Sequence, residues 1–206
     1  MKWISDSFWI TGIVLAIGVS ACSKDSPSST EPVAVNKDYV ALGWANFESQ
    51  KYDSAVINFT TAYNQAIADS VRGKALNGRG WTYAYKRDLT RAKADFIFAL
   101  GLNVLPMEVM NDVRAGGAMT LYSLNEFSLA ASYASATLTS NPAYSFSHDA
   151  KVTARRLRIL LAQSYYGAGS FSLCAAQLDI LDPSLAPHAA DPSTLLAHIT
   201  RILGTL

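Results

Sequence analysis

The sequence has little cysteine and no excess of charge of either sign. Two cysteines, Cys22 and Cys174, occur in 206 residues, and 17 Lys and Arg stand against 16 Asp and Glu. Two cysteines cannot build a disulfide framework. The net charge of +1 excludes disorder driven by self-repelling charge and argues against a dedicated nucleic-acid-binding protein. A chain of this length buries roughly 70% of its unfolded surface, so one core can form without disulfides.

Patterns typical of catalysis and metal binding are also absent from the sequence. His148, His188 and His198 stand alone, with no HExxH spacing, no paired cysteines and no glycine-rich phosphate loop. Asp182 directly precedes Pro183, which indicates a turn and not a catalytic acid. We therefore predict a protein that is not an enzyme, with no catalytic residues, no metal and no cofactor. An acid pair distant in sequence is the open alternative.

The N-terminus has the organisation of an export signal. Lys2 precedes an apolar run over residues 8–19, which is too short to span a bilayer comfortably. The run ends in the tetrapeptide Val-Ser-Ala-Cys at residues 19–22, which resembles the lipobox of bacterial lipoproteins. The resemblance implies cleavage of a signal peptide of residues 1–21 and acylation of the Cys22 sulfur. An ordinary signal peptide or uncleaved anchor, with Cys22 incidental, is the alternative.

Residues 22–36 form a tether by composition, because serine, threonine and proline dominate the stretch from Ser23 to Pro32. Acyl chains on Cys22 would bind the lipid bilayer stably. Enterobacterial lipoproteins that stay at the inner membrane tend to carry Asp directly after the cysteine, and this chain has Ser23 there. We therefore expect a lipid-anchored protein of the cell envelope, at the outer membrane and facing the periplasm.

From residue 37 onward the apolar residues recur three and four positions apart, which predicts an all-α domain of residues 37–206. A four-residue pattern repeats in it: a bulky apolar residue, a capping residue, any residue, and a small residue. The pattern begins 37, 38 and 44 residues apart, at Tyr52, Leu89, Phe127 and Phe171. We predict that the second residue of each unit caps a helix, namely Asp53, Thr90, Ser128 and Ser172. The fourth residue would allow two helices to approach closely, and for Cys174 this predicts burial.

These units resemble the tetratricopeptide repeat (TPR) family, in which each repeat is a helical hairpin. The first unit matches the family pattern at Tyr39, Leu42, Gly43, Ala55, Phe59 and Ala62. The second matches it at Leu76, Gly80, Tyr83, Ala92, Phe96 and Ala99. Asn46 and Arg79 depart from the pattern, and two further units, around residues 117–142 and 161–183, match more weakly.

The resemblance implies a TPR-like α-solenoid of about four helical hairpins. Leu195, Leu196, Ile199, Ile202 and Leu203 fall on one helical stripe near the C-terminus. We expect that stripe to form a capping helix over residues 193–203, since the last hairpin of a solenoid needs a cover for its apolar face. Four hairpins and this cap make nine helices.

In TPR proteins the first helices of successive hairpins line a concave groove that commonly binds a peptide or a protein. Carrying these positions over gives six candidate groove residues: Trp44, Phe47, Lys74, Asn77, Trp81 and Tyr85. Exposed aromatic residues in a groove are typical interface anchors. The alternative is that both tryptophans fill a seam between helices or are covered by the tether.

Seven cations in residues 72–93 accompany one acid, Asp88. This hairpin either attracts acidic segments or is a solvated face whose acids come from neighbouring helices. We predict a noncatalytic, membrane-anchored TPR scaffold that binds an envelope protein or peptide in the groove and binds no nucleic acid. The alternative is an outer-membrane lipoprotein that binds carbohydrate through the groove aromatics, as the much longer SusD-like proteins do.

Overall fold

The computed structural model describes residues 37–205. The predicted signal peptide, Cys22 and the tether up to residue 36 lie outside the described residues. Within the described part of the chain, no helix combines the length and the apolar character needed to cross a membrane.

The described residues form nine α-helices, as predicted, arranged as four antiparallel hairpins and a final helix. Each second helix packs against its own first helix and against the first helix of the next hairpin, and successive first helices also touch. This is the packing of a solenoid. The helices are α1 Tyr39–Glu48, α2 Tyr52–Gln65, α3 Asp69–Tyr85, α4 Leu89–Gly101, α5 Met107–Ser123, α6 Phe127–Ser140, α7 Ala154–Gly167, α8 Phe171–Leu181 and α9 Pro192–Leu203.

All four hairpins turn in the same way, through one residue with a left-handed backbone. The φ angle of this residue is 58° at Gln50, 61° at Arg87, 61° at Asn125 and 72° at Gly169. In the first turn, the Gln50 N–H donates to Phe47 O and the Lys51 N–H donates to Asn46 O, both at 2.8 Å. These two bonds define a Schellman motif, which satisfies carbonyls at the end of the first helix.

The prediction of the four capping residues is wrong. Each second helix begins at the bulky apolar residue, with its N-cap two residues before the predicted one, so Asp53, Thr90, Ser128 and Ser172 lie inside the first turn. No side chain caps α2, α6 or α8, and Asp88 caps α4. The Schellman turn already fixes where each second helix starts.

The small residues of the repeat are buried, as predicted. Ala55, Ala92, Ala130 and Cys174 have an exposed fraction of zero. The aromatic residue of the second helix enters the space that glycines leave. A Cβ atom on Gly43 or Gly78 would lie 2.5 Å or 2.2 Å from the Phe59 ring. Gly78 therefore lets hairpins 1 and 2 pack closely.

The predicted capping helix is confirmed as α9, which begins after an N-cap at Asp191. Leu195, Ile199 and Ile202 pack on α7 and α8 in a second aliphatic cluster, separate from the main core. Leu196 and Leu203 remain largely exposed at the outer side of the helix. Three of the five stripe residues thus form the contact.

Candidate partner-binding groove

The first helices bring four of the predicted groove residues together. Trp44 and Phe47 lie one turn apart on α1, and Trp81 and Tyr85 lie one turn apart on α3. The Phe47 ring lies 4.9 Å from the Tyr85 ring, and the Trp81 ring lies 6.3 Å from it. These four side chains are called the aromatic groove below.

A segment from a distant part of the chain fills this groove. Residues 141–153, called the groove segment, connect α6 to α7 and form a narrow loop. Phe146 N–H donates to Val152 O at 2.9 Å, and Ser145 bridges to Thr153 in antiparallel fashion. From residue 144 to residue 148 the side chains alternate, since Tyr144 and Phe146 are buried, Ser145 and Ser147 are exposed, and His148 is half-buried.

Aromatic stacking holds the groove segment in place. The Phe146 ring stacks on the Trp81 indole, with centroids 4.1 Å apart and an interplanar angle of 17°. The His148 ring stacks on Trp44 at 3.7 Å and 3°. Phe146 also meets Trp44 edge-on at 5.8 Å. Such pairs contribute about 0.5–1.5 kcal/mol each beyond the area they bury.

Polar side chains anchor both sides of the groove segment. The Tyr144 hydroxyl donates to Asp112 Oδ1 on α5 at 2.9 Å, and His148 Nδ1 lies 2.7 Å from Glu48 Oε1 on α1. The Tyr85 hydroxyl donates to the carboxylate of Asp149. Burial and the bond to Asp149 raise the pKa of Tyr85, so the phenol stays protonated as a donor.

Asp112, which accepts the hydrogen bond of Tyr144, also has a shifted pKa. Burial raises its pKa from the usual value of about 4 to about 6, against the opposite effect of the hydrogen bond from Tyr144. The charge of Glu108 on the same helix adds to the increase. The indole N–H of Trp81 donates to the backbone oxygen of Asp112 at 3.2 Å, so the same residue supports the groove and its occupant.

The prediction of an open aromatic groove therefore needs correction. Trp81 has an exposed fraction of 1% and Phe47 of 3%, and the Phe146 ring of the groove segment packs against both. The covering segment follows α6. Of the alternative's two parts, the tether lies outside the described residues, and the helix seam holds in part for Trp81, whose indole packs against Gly116 and donates to the Asp112 backbone oxygen, both on α5. Contact between a partner and the face of Trp81 on which Phe146 stacks requires that the groove segment first leave.

The two polar residues predicted for the groove behave differently from each other. Lys74 is exposed, and no acidic side chain within the described residues pairs with it. Asn77 is buried, and its side-chain oxygen has no hydrogen-bond partner among the described residues. Neither residue contacts the groove segment through a hydrogen bond, so their role in partner binding stays a prediction.

Sequence reasoning missed the groove segment as a functional element, although two signals marked it. The third repeat spacing is 44 residues, against 37 and 38 for the others, and the extra length is the groove segment. The order Tyr144, Phe146, His148 places ring side chains at every second position, which is the period of an extended chain.

The concave face remains open beside the groove segment. A cavity of about 310 Å³ lies between α3, α5, α7 and the segment. Met119, Leu157 and Leu160 give it an apolar floor, and Lys151 and Arg156 stand at its exposed rim. A volume of this size accommodates one or two side chains of a ligand.

Five of the seven cations in residues 72–93 pair with acids. Neighbouring hairpins supply two of these acids, Asp53 and Glu126, as the second alternative predicted, whereas Asp69, Asp88 and Asp95 belong to the same hairpin. The buried pair is bidentate, with Arg79 Nε 2.8 Å from Asp95 Oδ2 and Nη2 2.9 Å from Oδ1. This hydrogen bond raises the pKa of Arg79 and explains its departure from the TPR pattern. Five ion pairs involve the cations of this hairpin: Arg72–Asp69, Arg79–Asp95, Lys86–Asp53, Arg91–Asp88 and Lys93–Glu126.

The residues considered for chemistry take structural positions, although none of the three histidines is isolated, since His148 contacts Glu48 and Trp44. His188 Nδ1 lies 2.7 Å from Asp179, and the His188 and His198 rings are 4.6 Å apart. Burial raises the pKa of Cys174 to about 11, which keeps its thiol protonated and unreactive. Within the described residues, no cluster of three or more His, Cys, Asp or Glu side chains could hold a metal ion.

The groove geometry also bears on the carbohydrate-binding alternative. Stacking on a sugar ring needs an aromatic face that is open to solvent. The face of Trp81 is covered by Phe146, and one face of Trp44 is covered by His148. Trp44 and Trp81, on which the carbohydrate-binding alternative rests, are thus stacked against residues of the chain itself.

Comparison with known proteins supports the fold through similarity to solved structures. No protein-family model and no curated protein matches the sequence. Among solved structures, the chain is similar to YrrB, described as a TPR protein with an unusual peptide-binding site, with a TM-score of 0.59 and 15% identity over 81% of this chain and 85% of that one.

Two further solved structures have the same architecture. MamA from Desulfovibrio magneticus gives a TM-score of 0.53 at 15% identity, over 82% of this chain and 95% of that chain. A tetratricopeptide repeat protein from Parabacteroides merdae gives 0.56 at 12%, over 81% of this chain and 59% of that chain. These neighbours confirm the predicted TPR-like α-solenoid.

Proposed function

We propose that this chain is a noncatalytic scaffold of the bacterial cell envelope that binds a protein partner on its concave face. The observation that carries the proposal is the extended groove segment, which lies across the first helices as a bound peptide would. YrrB, a neighbour of the same fold, is described by its peptide-binding site. The open cavity beside the segment offers room for a partner's side chains.

The proposed location rests on the sequence. The Val-Ser-Ala-Cys motif at residues 19–22 supports a lipid anchor on Cys22, and Ser23 supports the outer membrane. The serine- and proline-rich residues up to 36 would hold the repeat domain at a distance from the bilayer, facing the periplasm. In this arrangement the concave face can meet another envelope protein while the anchor limits diffusion to the membrane surface.

Site-specific photo-crosslinking in cells tests partner binding. A photoreactive amino acid replaces Met119 or Leu160 in the concave cavity, or Phe98 or Ile180 on exposed faces of the second helices, in the full-length chain. We expect one partner protein to be captured from both concave positions and from neither control position. Capture from the control positions alone, or from none, would contradict the proposed function.

The anchor is tested separately with Cys22→Ala. We expect the full-length chain to incorporate a labelled fatty acid and to sediment with outer membranes, and the variant to do neither. Labelling that persists in the variant would contradict acylation at Cys22, without bearing on the concave face.

A further inference from the structure

The groove segment is attached to the aromatic groove in the way a ligand is attached to its receptor. Its backbone hydrogen bonds are internal or reach the end of α6 and the start of α7, where the Ala154 N–H donates to Tyr144 O at 2.6 Å. None reaches the backbone of α1, α3 or α5. The contacts to these helices are side-chain stacks and side-chain hydrogen bonds. The segment can therefore leave the groove without breaking a backbone hydrogen bond of the helices that line it.

The segment also begins and ends at helices that are held elsewhere. It joins Ser140 at the end of α6 to Ala154 at the start of α7, and these helices pack directly against each other. The loop between them is thus not needed to keep α6 and α7 together. Tyr144, Phe146 and Val152 of the segment belong to the main core, so its movement out of the groove would expose apolar surface there while the contacts between α6 and α7 remain.

The bound segment shows which side chains the groove accepts. The aromatic groove contacts the rings of Phe146 and His148, and Tyr144 is buried beside it with its hydroxyl on Asp112 of α5. The small residues between these three side chains face solvent. An extended chain with period two presents every second side chain to one surface. The groove offers matching partners at both ends, with the Asp112 carboxylate for a phenol and the Trp44 face and Glu48 for an imidazole.

We propose that the aromatic groove is a recognition site for extended peptides with aromatic side chains at alternating positions, and that the groove segment occupies it as an internal ligand which such peptides displace. This inference rests on the proposed function and specifies the partner's chemistry. A partner binds only to molecules in which the groove is open. The internal ligand therefore reduces the apparent affinity in proportion to the fraction of such molecules. A linked ligand competes at a high effective concentration, so displacement needs either a strong partner or a high local concentration of it.

The test is a binding titration with the segment supplied in trans. The probe is a fluorescent 13-residue peptide with the sequence of residues 141–153, measured by anisotropy against the full chain and against variants. In the first variant, residues 142–152 are replaced by five Gly and Ser residues, as long as the connection over residues 102–106 between α4 and α5. We expect it to bind the peptide at least about tenfold more tightly than the unaltered chain.

A second variant keeps the proposal testable if the shortened chain does not fold. His148→Ala removes one half-buried ring from the mouth of the groove, while Phe146 stays in place. We expect a several-fold gain in peptide affinity over the full chain. Phe98→Ala, on an exposed face of α4, is the matched control and should bind as the unaltered chain does. Circular dichroism verifies the helix content of each variant.

The peptide needs its own control. A version with Tyr144→Ser and Phe146→Ser should bind the shortened chain at least about tenfold more weakly. Equal binding of the two peptides, or no gain for any folded variant, would overturn the proposal. Dimers that exchange the segment and exclude the peptide would also overturn it, in favour of self-association.

The outcome is separable from that of the proposed function. A partner crosslinked at the concave face in cells, with no affinity of the opened groove for the aromatic peptide, would keep the scaffold and overturn the internal ligand. Tight binding of the peptide by the shortened chain, with no partner captured in cells, would keep the internal ligand and overturn the scaffold.

Discussion

Two apolar surfaces of this solenoid are covered by different means. The aromatic groove of hairpins 1 and 2 is covered by a loop about a hundred residues later, as the contact between Glu48 and His148 illustrates. The apolar face of the last hairpin is covered by α9, which follows shortly in sequence. The groove cover uses stacked rings and side-chain hydrogen bonds, whereas the cap uses aliphatic side chains. The groove cover thus belongs to the main core through Tyr144, Phe146 and Val152, whereas the cap forms a cluster of its own.

The largest expected effect concerns the groove cover. Phe146→Ala removes a ring that is 1% exposed and stacked on Trp81, so we expect the free energy of unfolding to fall by about 3–4 kcal/mol. Phe98→Ala, at an exposed ring, should cost less than about 1 kcal/mol. Urea denaturation measures both. Equal losses in the two variants would show that the groove segment does not lie on Trp81.

The second effect concerns the cap. Leu195→Ala empties a fully buried position between α9 and α7, and we expect a loss of about 2–4 kcal/mol. The adjacent Leu196 is about half exposed, so Leu196→Ala is the matched control, with a loss below about 1 kcal/mol. Hydrogen exchange should show faster opening of α8 and α9 in Leu195→Ala, with α1 and α3 unchanged. Opening throughout the chain would contradict a locally packed cap.

The third effect concerns the close approach of hairpins 1 and 2, on which the groove depends. Gly78→Ala places a Cβ 2.2 Å from the Phe59 ring, and we expect a loss of about 2–3 kcal/mol. Gly101→Ala is the control, since nothing lies within 4 Å of the added carbon. In that variant alanine lowers the conformational entropy of the unfolded chain, which should stabilise the folded chain by about 0.5 kcal/mol. Thermal unfolding compares the two, and a loss of stability at Gly101 would contradict the packing described.

The smallest effect is a pH dependence that distinguishes the groove from the cap. The pKa of Asp112 is raised to about 6, so its protonated form is favoured in the folded chain. Its contribution to stability is present below pH 4 and is lost as the pH rises through 6. Asp112→Asn should remove this loss. Relative to the unaltered chain, the free energy of unfolding of the variant should therefore rise by about 2 kcal/mol between pH 4 and pH 7.

The control for that pH dependence is Asp191, the N-cap of α9. Hydrogen bonds from Ser193 and Thr194 lower its pKa to about 2, which gives the opposite sign. Its contribution is present above the usual pKa near 4 and is lost as the pH falls toward 2. Asp191→Ala should therefore leave the profile between pH 5 and pH 7 unchanged in shape. A gain for Asp112→Asn that does not vary with pH would contradict the burial of that carboxyl.

Local sequence patterns predicted the parts of the fold that depend on near neighbours. The helical period, the buried small residues such as Ala55 and Cys174, and the α9 stripe all follow from spacing within one or two helices. The prediction of the capping residues was wrong because each turn is set by one residue with a left-handed backbone. In the first turn that residue is Gln50, so no glycine marks the turn in the sequence. The pattern placed the N-cap of each second helix two residues too late, because it did not show what ends the first helix.

The candidate site was predictable only in part. The sequence identified Trp44 and Trp81 because they occupy one repeat position 37 residues apart, and the structure brings them to one groove. It could not show that Phe146 and His148 lie over them, because contact across so many residues depends on the stacking of four hairpins. The added length before α7 marked an insertion without indicating where it packs.

The central claim is that the groove segment occupies the aromatic groove through side-chain stacking, and a double-mutant cycle between Trp44 and His148 tests it most directly. Their rings lie 3.7 Å apart and nearly parallel. Trp44 lies on α1 and His148 in the groove segment, so the two residues are distant in sequence. Unfolding is measured for Trp44→Leu, His148→Ala, the double variant and the unaltered chain. We predict a coupling free energy of about 0.5–1.5 kcal/mol between the two positions. Losses that add within about 0.3 kcal/mol would contradict the account.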